Sequence, residues 1–218
     1  MTFKNRYEAG SILAKKLAKY QDKKPYIFGL LRGGLPVAYQ VAVSLKSPLY
    51  PLIVQKIPSP WQKEYAIGAI SKNILYLNED LIKTSKISKD FLKAQIKEKR
   101  KEIKRKDQLI KHAYKRNSLK NQVVIIVDDG LATGISAFVA ISEIQRQKPK
   151  QIIFATPVGA KDSIQMLKNL GSEVICLLYP SNLQSVGAYY DDFTQVSDDE
   201  VVALLQIEKL KRRVKLIK

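Results

Sequence analysis

Three uninterrupted apolar runs constrain this chain most: VVIIV at 123–127, QIIFATPV at 151–158 and EVICLLY at 173–179, separated by the helix-length spacers Ala137 to Gln147 and Lys161 to Leu170. A strand that faces water on one side alternates apolar and polar residues. A strand that is apolar throughout is covered on both faces, and alternation with helices gives such strands a parallel pairing. The expected fold class is therefore α/β, an open, mostly parallel sheet with flanking helices.

Upstream the pattern is less regular. Phe3, Tyr7, Leu13, Leu17 and Tyr20 recur at roughly helical spacing and predict an amphipathic opening helix. PYIFGLL reads as a short strand broken by RGGLP, and Leu35 to Leu45 as a helix packed on the sheet. LYPLIV and EYAIGAI are strand-like, with ILYLN pairing as part of a hairpin. Ser88 is placed to cap a long basic helix, and Ser197 with Glu200 forms a capping-box pattern for a last helix through Leu205. With 218 residues, no internal repeat and no low-complexity linker, the chain is expected to form one domain over 1–218, with an inserted arm at about 71–120.

The formal net charge of +18 implies polyanionic or phosphorylated partners. Much of the excess sits in residues 91–117, where eleven Lys and Arg face Glu98, Glu102 and Asp107. A solvated helix face is the plain alternative for that run. His112, the single histidine, reads there as a solvated residue. The lone Cys176, inside EVICLLY, reads as a small buried hydrophobe and suits a reducing compartment. MTFKNRYEAG is charged from the start, unlike a signal peptide, and no apolar run approaches the roughly 18 residues of a membrane helix. A cytoplasmic protein with no membrane partner is expected.

Against that positive balance, Asp128 and Asp129 stand side by side at the end of the most apolar strand. Two adjacent carboxylates repel one another and need compensation. In open α/β sheets, ligands sit at the carboxyl ends of the strands. The following GLATGIS is short and small, so Gly130 and Gly134 let backbone N–H groups approach a ligand closely, and the turn enters a helix whose N-terminus favours anions. The Thr133 hydroxyl adds a donor. Paired carboxylates suit the hydroxyls of a vicinal diol, and diol followed by phosphate at this spacing describes a ribose 5-phosphate.

VVIIVDDGLATG resembles the phosphoribosyl pyrophosphate (PRPP) loop of type I phosphoribosyltransferases. LLRGGLPVA stands where that family keeps its pyrophosphate loop, and Lys56 in VQKI, EYAIGA and SVGAYYDDFTQVSDDEV are similar to a less-characterised bacterial branch. The resemblance implies that Asp128 and Asp129 hold the ribose hydroxyls and that Gly130, Leu131, Ala132, Thr133 and Gly134 hold the 5′-phosphate. It further implies that Arg32, Gly33 and Gly34 meet the diphosphate, with Arg32 and Lys56 as catalytic cations. The implied cofactor is Mg²⁺, held mainly by substrate with no direct protein ligand, and the implied assembly is a homodimer. The implied reaction exchanges the pyrophosphate of PRPP for a nitrogen nucleophile, a nucleobase of unassigned identity. Where oxopurine-using members carry a third loop acid, this chain has Ala132, so no general base is assigned within the loop. Glu64, Tyr189, Tyr190 and Asp191 are acceptor-side candidates, and Trp61 is ambiguous. Some proteins of this fold are regulators. The alternative is thus a PRPP-sensing protein that binds RNA or DNA through its basic arm.

Overall fold

In the computed structural model, which describes residues 2–62, 65–114 and 118–216, helices and strands follow one another as α1 (Arg6–Leu17), β1 (Tyr26–Leu30), α2 (Gly34–Ser44), β2 (Leu49–Leu52), β3 (Gln55–Pro58), β4 (Ala66–Ile70) and β5 (Leu75–Leu77). The chain continues through α3 (Glu79–Thr84), α4 (Lys89–Ile110), β6 (Val123–Val127), α5 (Ile135–Gln145), β7 (Gln151–Val158), α6 (Lys161–Asn169), β8 (Glu173–Leu178) and α7 (Asp198–Leu216). Five strands form one sheet in the order β2-β1-β6-β7-β8, every pairing parallel. The α/β class expected from the apolar runs is the class observed. Every residue of β6 is buried, because helices cover both faces of the sheet. Ile27, Ile125 and Ile153 belong to the core on one face, and Phe28, Ile126 and Phe154 to the core on the other.

A smaller antiparallel sheet, β3-β4-β5, holds the expected hairpin. Its first strand, QKIP, escaped the sequence reading because it carries one buried apolar residue, Ile57, between polar neighbours and a proline. The segment 71–120 contributes β5, α3 and α4. Ser88 caps α4, its hydroxyl accepting from the Phe91 amide at 3.2 Å. The last helix departs from expectation twice. It runs to Leu216 rather than ending at Leu205, its buried face including Leu204, Leu205 and Glu208. Only half of the capping box forms. The Glu200 amide donates to Ser197 Oγ at 3.0 Å, while the Glu200 carboxylate accepts from the Tyr7 hydroxyl at 2.9 Å. That carboxylate helps to push the Tyr7 phenol up to about 12, behind the larger effect of burial. No described helix is long and apolar enough to cross a membrane.

The strand order fixes where a ligand can sit. From β1 the chain moves to β2 on one side, whereas from β6 it moves outward through β7 and β8 on the other. The reversal lies between β1 and β6, and the crevice at their carboxyl ends is the switch point of the sheet. The loops that open there are Leu31–Gly33 and Asp128–Gly134.

Candidate active site

Asp128 and Asp129 leave β6 beside the loop that leaves β1, and the two loops touch. A Cβ on Gly33 would collide with Asp129 Oδ2, and one on Gly34 would lie 2.6 Å from the Val127 carbonyl oxygen and 3.0 Å from Asp128 Oδ1. Only a residue without a side chain allows that approach. RGG is therefore more than a turn, since its glycines form one wall of the acid pair.

The main compensating charge comes from the far end of the sequence. Asn5 caps α1, its side chain accepting from the Tyr7 and Glu8 amides, and so fixes the first helical residue, Arg6. Arg6 Nε donates to Asp129 Oδ2 at 2.7 Å, with the two side chains only 10% and 16% exposed. Arg6 Nη1 donates to the Thr194 carbonyl at 2.8 Å, and the guanidinium lies 3.8 Å from the centre of the Phe193 ring. Tyr190 completes the enclosure by donating its hydroxyl to the Asp129 carbonyl at 2.6 Å. The sequence reading missed Arg6. Its one available signal was the opening helix's start at Asn5, which marks the residue's position without naming its partner.

This corrects the acceptor-side assignment of Tyr190. The ring is buried between Phe3 and Phe193, and burial first, then the Asp129 charge, pushes its phenol well up. It supports the acid loop and is not free to stack on a base. Tyr189 is partly buried and Asp191 is exposed, and their backbones are stitched to Phe3 on either side of Tyr190. Glu64 lies outside the described residues. Trp61 is 56% exposed, and His112 is exposed with its carbonyl accepting from Lys209 Nζ. Cys176 is buried as expected, its thiol donating to the Leu178 carbonyl at 3.1 Å and pushed up to about 12 by desolvation.

Within the acid pair, the Asp129 amide donates to Asp128 Oδ1 at 2.9 Å. That bond and the charge of Lys56, on β3, favour the Asp128 carboxylate. Burial and the neighbouring Asp129 charge outweigh them and hold Asp128 well above the usual carboxylate range. Arg6 thus pairs with Asp129 alone, and Asp128 has the Asp129 amide and the charge of Lys56.

Beyond the acids, the loop divides. Leu131 is buried, its amide donating to the Val158 carbonyl at 2.9 Å and its carbonyl accepting from the Ala160 amide at 2.8 Å. Its N–H is committed to the sheet extension, which corrects its expected place among the phosphate donors. Gly130 lies against Val186. Ala132 and Thr133 are exposed, and Gly134, at φ +75°, turns the chain into α5 with no side chain capping that helix. Among the described residues, no protein acceptor takes the amides of Ala132, Thr133 or Gly134. These donors and the first turn of α5 make an open anion cradle.

Arg32 reaches sideways, its Nη1 3.5 Å from Asp198 Oδ1 at the start of α7. Asp198 is held more closely by Arg105 of α4, at 2.7 Å, and that contact keeps its carboxyl below the usual range. Lys106 lies nearby, 8% exposed and 3.7 Å from Glu102, and burial lowers its ammonium pKa, with the Arg32 charge adding to that effect. Arg6 of α1, Lys56 of β3 and Arg32 of the β1 loop thus bring cations to the acid pair and its neighbouring loop.

The model of the phosphoribosyl transferase domain family matches residues 5–192. Proteins of two Mycobacterium tuberculosis strains (CDC 1551 / Oshkosh and ATCC 25618 / H37Rv), provisionally named phosphoribosyl transferases, are 36% identical over 204 residues, 93% of this chain. The chain spans only 46% of their length. The crystal structure of TT1426 from Thermus thermophilus is 32% identical and superposes with a TM-score of 0.77, covering 95% of this chain and 99% of that one.

Proposed function

This chain belongs to the phosphoribosyl transferase domain family, and on that premise we propose that it binds PRPP with Mg²⁺ and transfers the phosphoribosyl group to a nitrogen nucleophile, a nucleobase of unassigned identity. The observation that carries this reading is the juxtaposition of a paired-acid strand end, an open anion cradle and the RGG loop at the sheet's switch point.

In this reading the acids accept the ribose hydroxyls. Arg6 holds and aims the Asp129 carboxylate, and Tyr190 and the Gly33–Gly34 backbone fix the loop that carries both acids. The 5′-phosphate takes the amides of Ala132, Thr133 and Gly134 and the Thr133 hydroxyl, at the positive end of α5. The diphosphate lies against the Gly33 and Gly34 backbone. Arg32, loosely paired at 3.5 Å, turns toward it, with Lys56 on the facing strand. As the C1–O bond breaks, its electron pair leaves with pyrophosphate while the acceptor's nitrogen lone pair forms the new C1–N bond. Arg32 and Lys56 neutralise the charge that grows on the departing group, where preorganised cations lower the barrier most. The acid pair fits a divalent ion held mostly by substrate, since the Arg6 guanidinium pairs with Asp129 alone and Mg²⁺ commonly takes one or two carboxylates beside phosphate oxygens. When bound, Mg²⁺ supplies further neutralisation of the leaving diphosphate.

On the acceptor side, Tyr189 and Asp191 remain candidates, with Glu64 outside the described residues. The reading includes a cytoplasmic homodimer and treats 71–120 as an arm inserted in a single domain over 1–218. The test is release of pyrophosphate when the chain is incubated with PRPP, Mg²⁺ and each of a panel of nucleobases. Base-dependent release, lost in Arg32→Ala and Lys56→Ala, supports the reading. PRPP binding without release for any base favours the regulatory alternative, and no PRPP binding contradicts both.

A further inference from the structure

Helix α4 is the largest feature this chemistry leaves unused. One stripe of it, Glu102, Arg105 and Lys106, serves Asp198 and the surroundings of Arg32. A second stripe, Arg100, Ile103, Lys104 and Asp107, recurs at i, i+3, i+4 and i+7 and so faces another direction. That stripe closes a cavity of about 380 Å³ against the end of β2 and the β4–β5 turn. Leu52, Ile53 and Ile103 give the cavity an apolar lining, while Lys72, Arg100 and Lys104 bring cations to it. A groove of about 480 Å³ shares Arg100 and Lys104 and continues past Lys101 and Lys97 to Lys93.

We propose that this cavity and groove bind a nucleoside polyphosphate. The apolar lining and the volume suit a base and its sugar, since pockets for such ligands start at about 300 Å³. Asp107 lines the same cavity as an acceptor for a base N–H or a sugar hydroxyl. The groove, roughly 16 Å from Lys93 to Lys104 at the helical rise, offers a row of cations to a chain of phosphates. Glu143, the other acid there, is already occupied. Its carboxylate accepts from Ser71 Oγ at 2.7 Å and from the Asn73 amide and Nδ2 at 3.0 and 2.6 Å, which fixes the β4–β5 turn as a wall. A second copy of this chain is a poor occupant, because it would set one lysine row against another. The site shares no residue with the strand-end acids or their loop.

The test is calorimetric titration of the full chain with ATP, with inorganic tripolyphosphate and with a short single-stranded oligonucleotide. The proteins are the wild type, Arg100→Glu with Lys104→Glu, and Asp128→Asn with Asp129→Asn. Arg100 and Lys104 are exposed, so reversing them leaves the fold intact. The expected result is ATP binding that falls about tenfold or more in the reversed-charge variant and is unchanged in the acid variant, reflecting lost phosphate contacts at the groove alone. Tripolyphosphate should bind about fivefold or more weakly than ATP, because it leaves the apolar lining empty. Four results would overturn the proposal: no ATP binding, ATP binding lost with the acids, tripolyphosphate binding as tightly as ATP, or an oligonucleotide bound in ATP's place.

Discussion

The strand-end site and helix α4 handle charge in opposite ways. At the ends of β1 and β6, few charges are buried and each has a specific neighbour: Asp129 has Arg6, Arg6 also has Thr194 and Phe193, and Tyr190 holds the loop from behind. Along α4 the charges are many and mostly exposed, and their ion pairs lie on the helix surface. Screened pairs of that kind contribute little, whereas a buried charge that loses its partner is left uncompensated. The net charge of +18 is thus carried by surface that leaves the fold largely indifferent, while the acid site depends on a handful of groups drawn from both ends of the chain.

Substitutions sharpen this contrast. Arg6→Ala should have the largest effect, lowering the unfolding free energy by about 3 kcal/mol, because Asp129 stays buried beside Asp128 without its guanidinium. Denaturant unfolding measures it, and a change below about 1 kcal/mol would mean that water replaces Arg6 cheaply. Asp128→Asn should act in the opposite sense. Its carboxyl is held above the unfolded value, so the native state binds more protons between the two. The stability this contributes is fully present below about pH 4 and is lost as pH rises through the raised value. The variant should therefore match the wild type near pH 4 and exceed it at neutral pH, read from unfolding curves across that range. A variant that gains nothing on the wild type as pH rises through this window would remove the conflict at Asp128. Tyr190→Phe, which leaves the Asp129 carbonyl without its donor, should cost about 1 kcal/mol by the same measurement. The smallest effect belongs to α4, where Lys97→Gln with Lys101→Gln should stay within about 0.5 kcal/mol of wild type. A larger loss there would break the comparison.

The same contrast explains what the sequence could reveal. VVIIV followed by two acids is a local signal, because burial writes the strand and a polar break marks its carboxyl end. Ser88 before α4 is equally local. Arg6 was illegible, since its partner lies 123 residues away and it is one of 38 Lys and Arg. Tyr190 was visible as an aromatic, but its link to a carbonyl 61 residues distant was not. Leu131 sits inside a well-marked loop, yet only the bridge to Gly159 shows that its amide is committed elsewhere. β3 was missed because a short strand with one buried apolar residue leaves no periodicity to detect.

The most direct test of the central claim is calorimetric titration with PRPP and Mg²⁺ of the wild type beside Asp128→Asn with Asp129→Asn. The account predicts one site on the wild type and affinity weakened about a hundredfold or more in the variant, the loss of two charge-assisted hydrogen bonds. Equal binding by both proteins, or binding by neither, would contradict it.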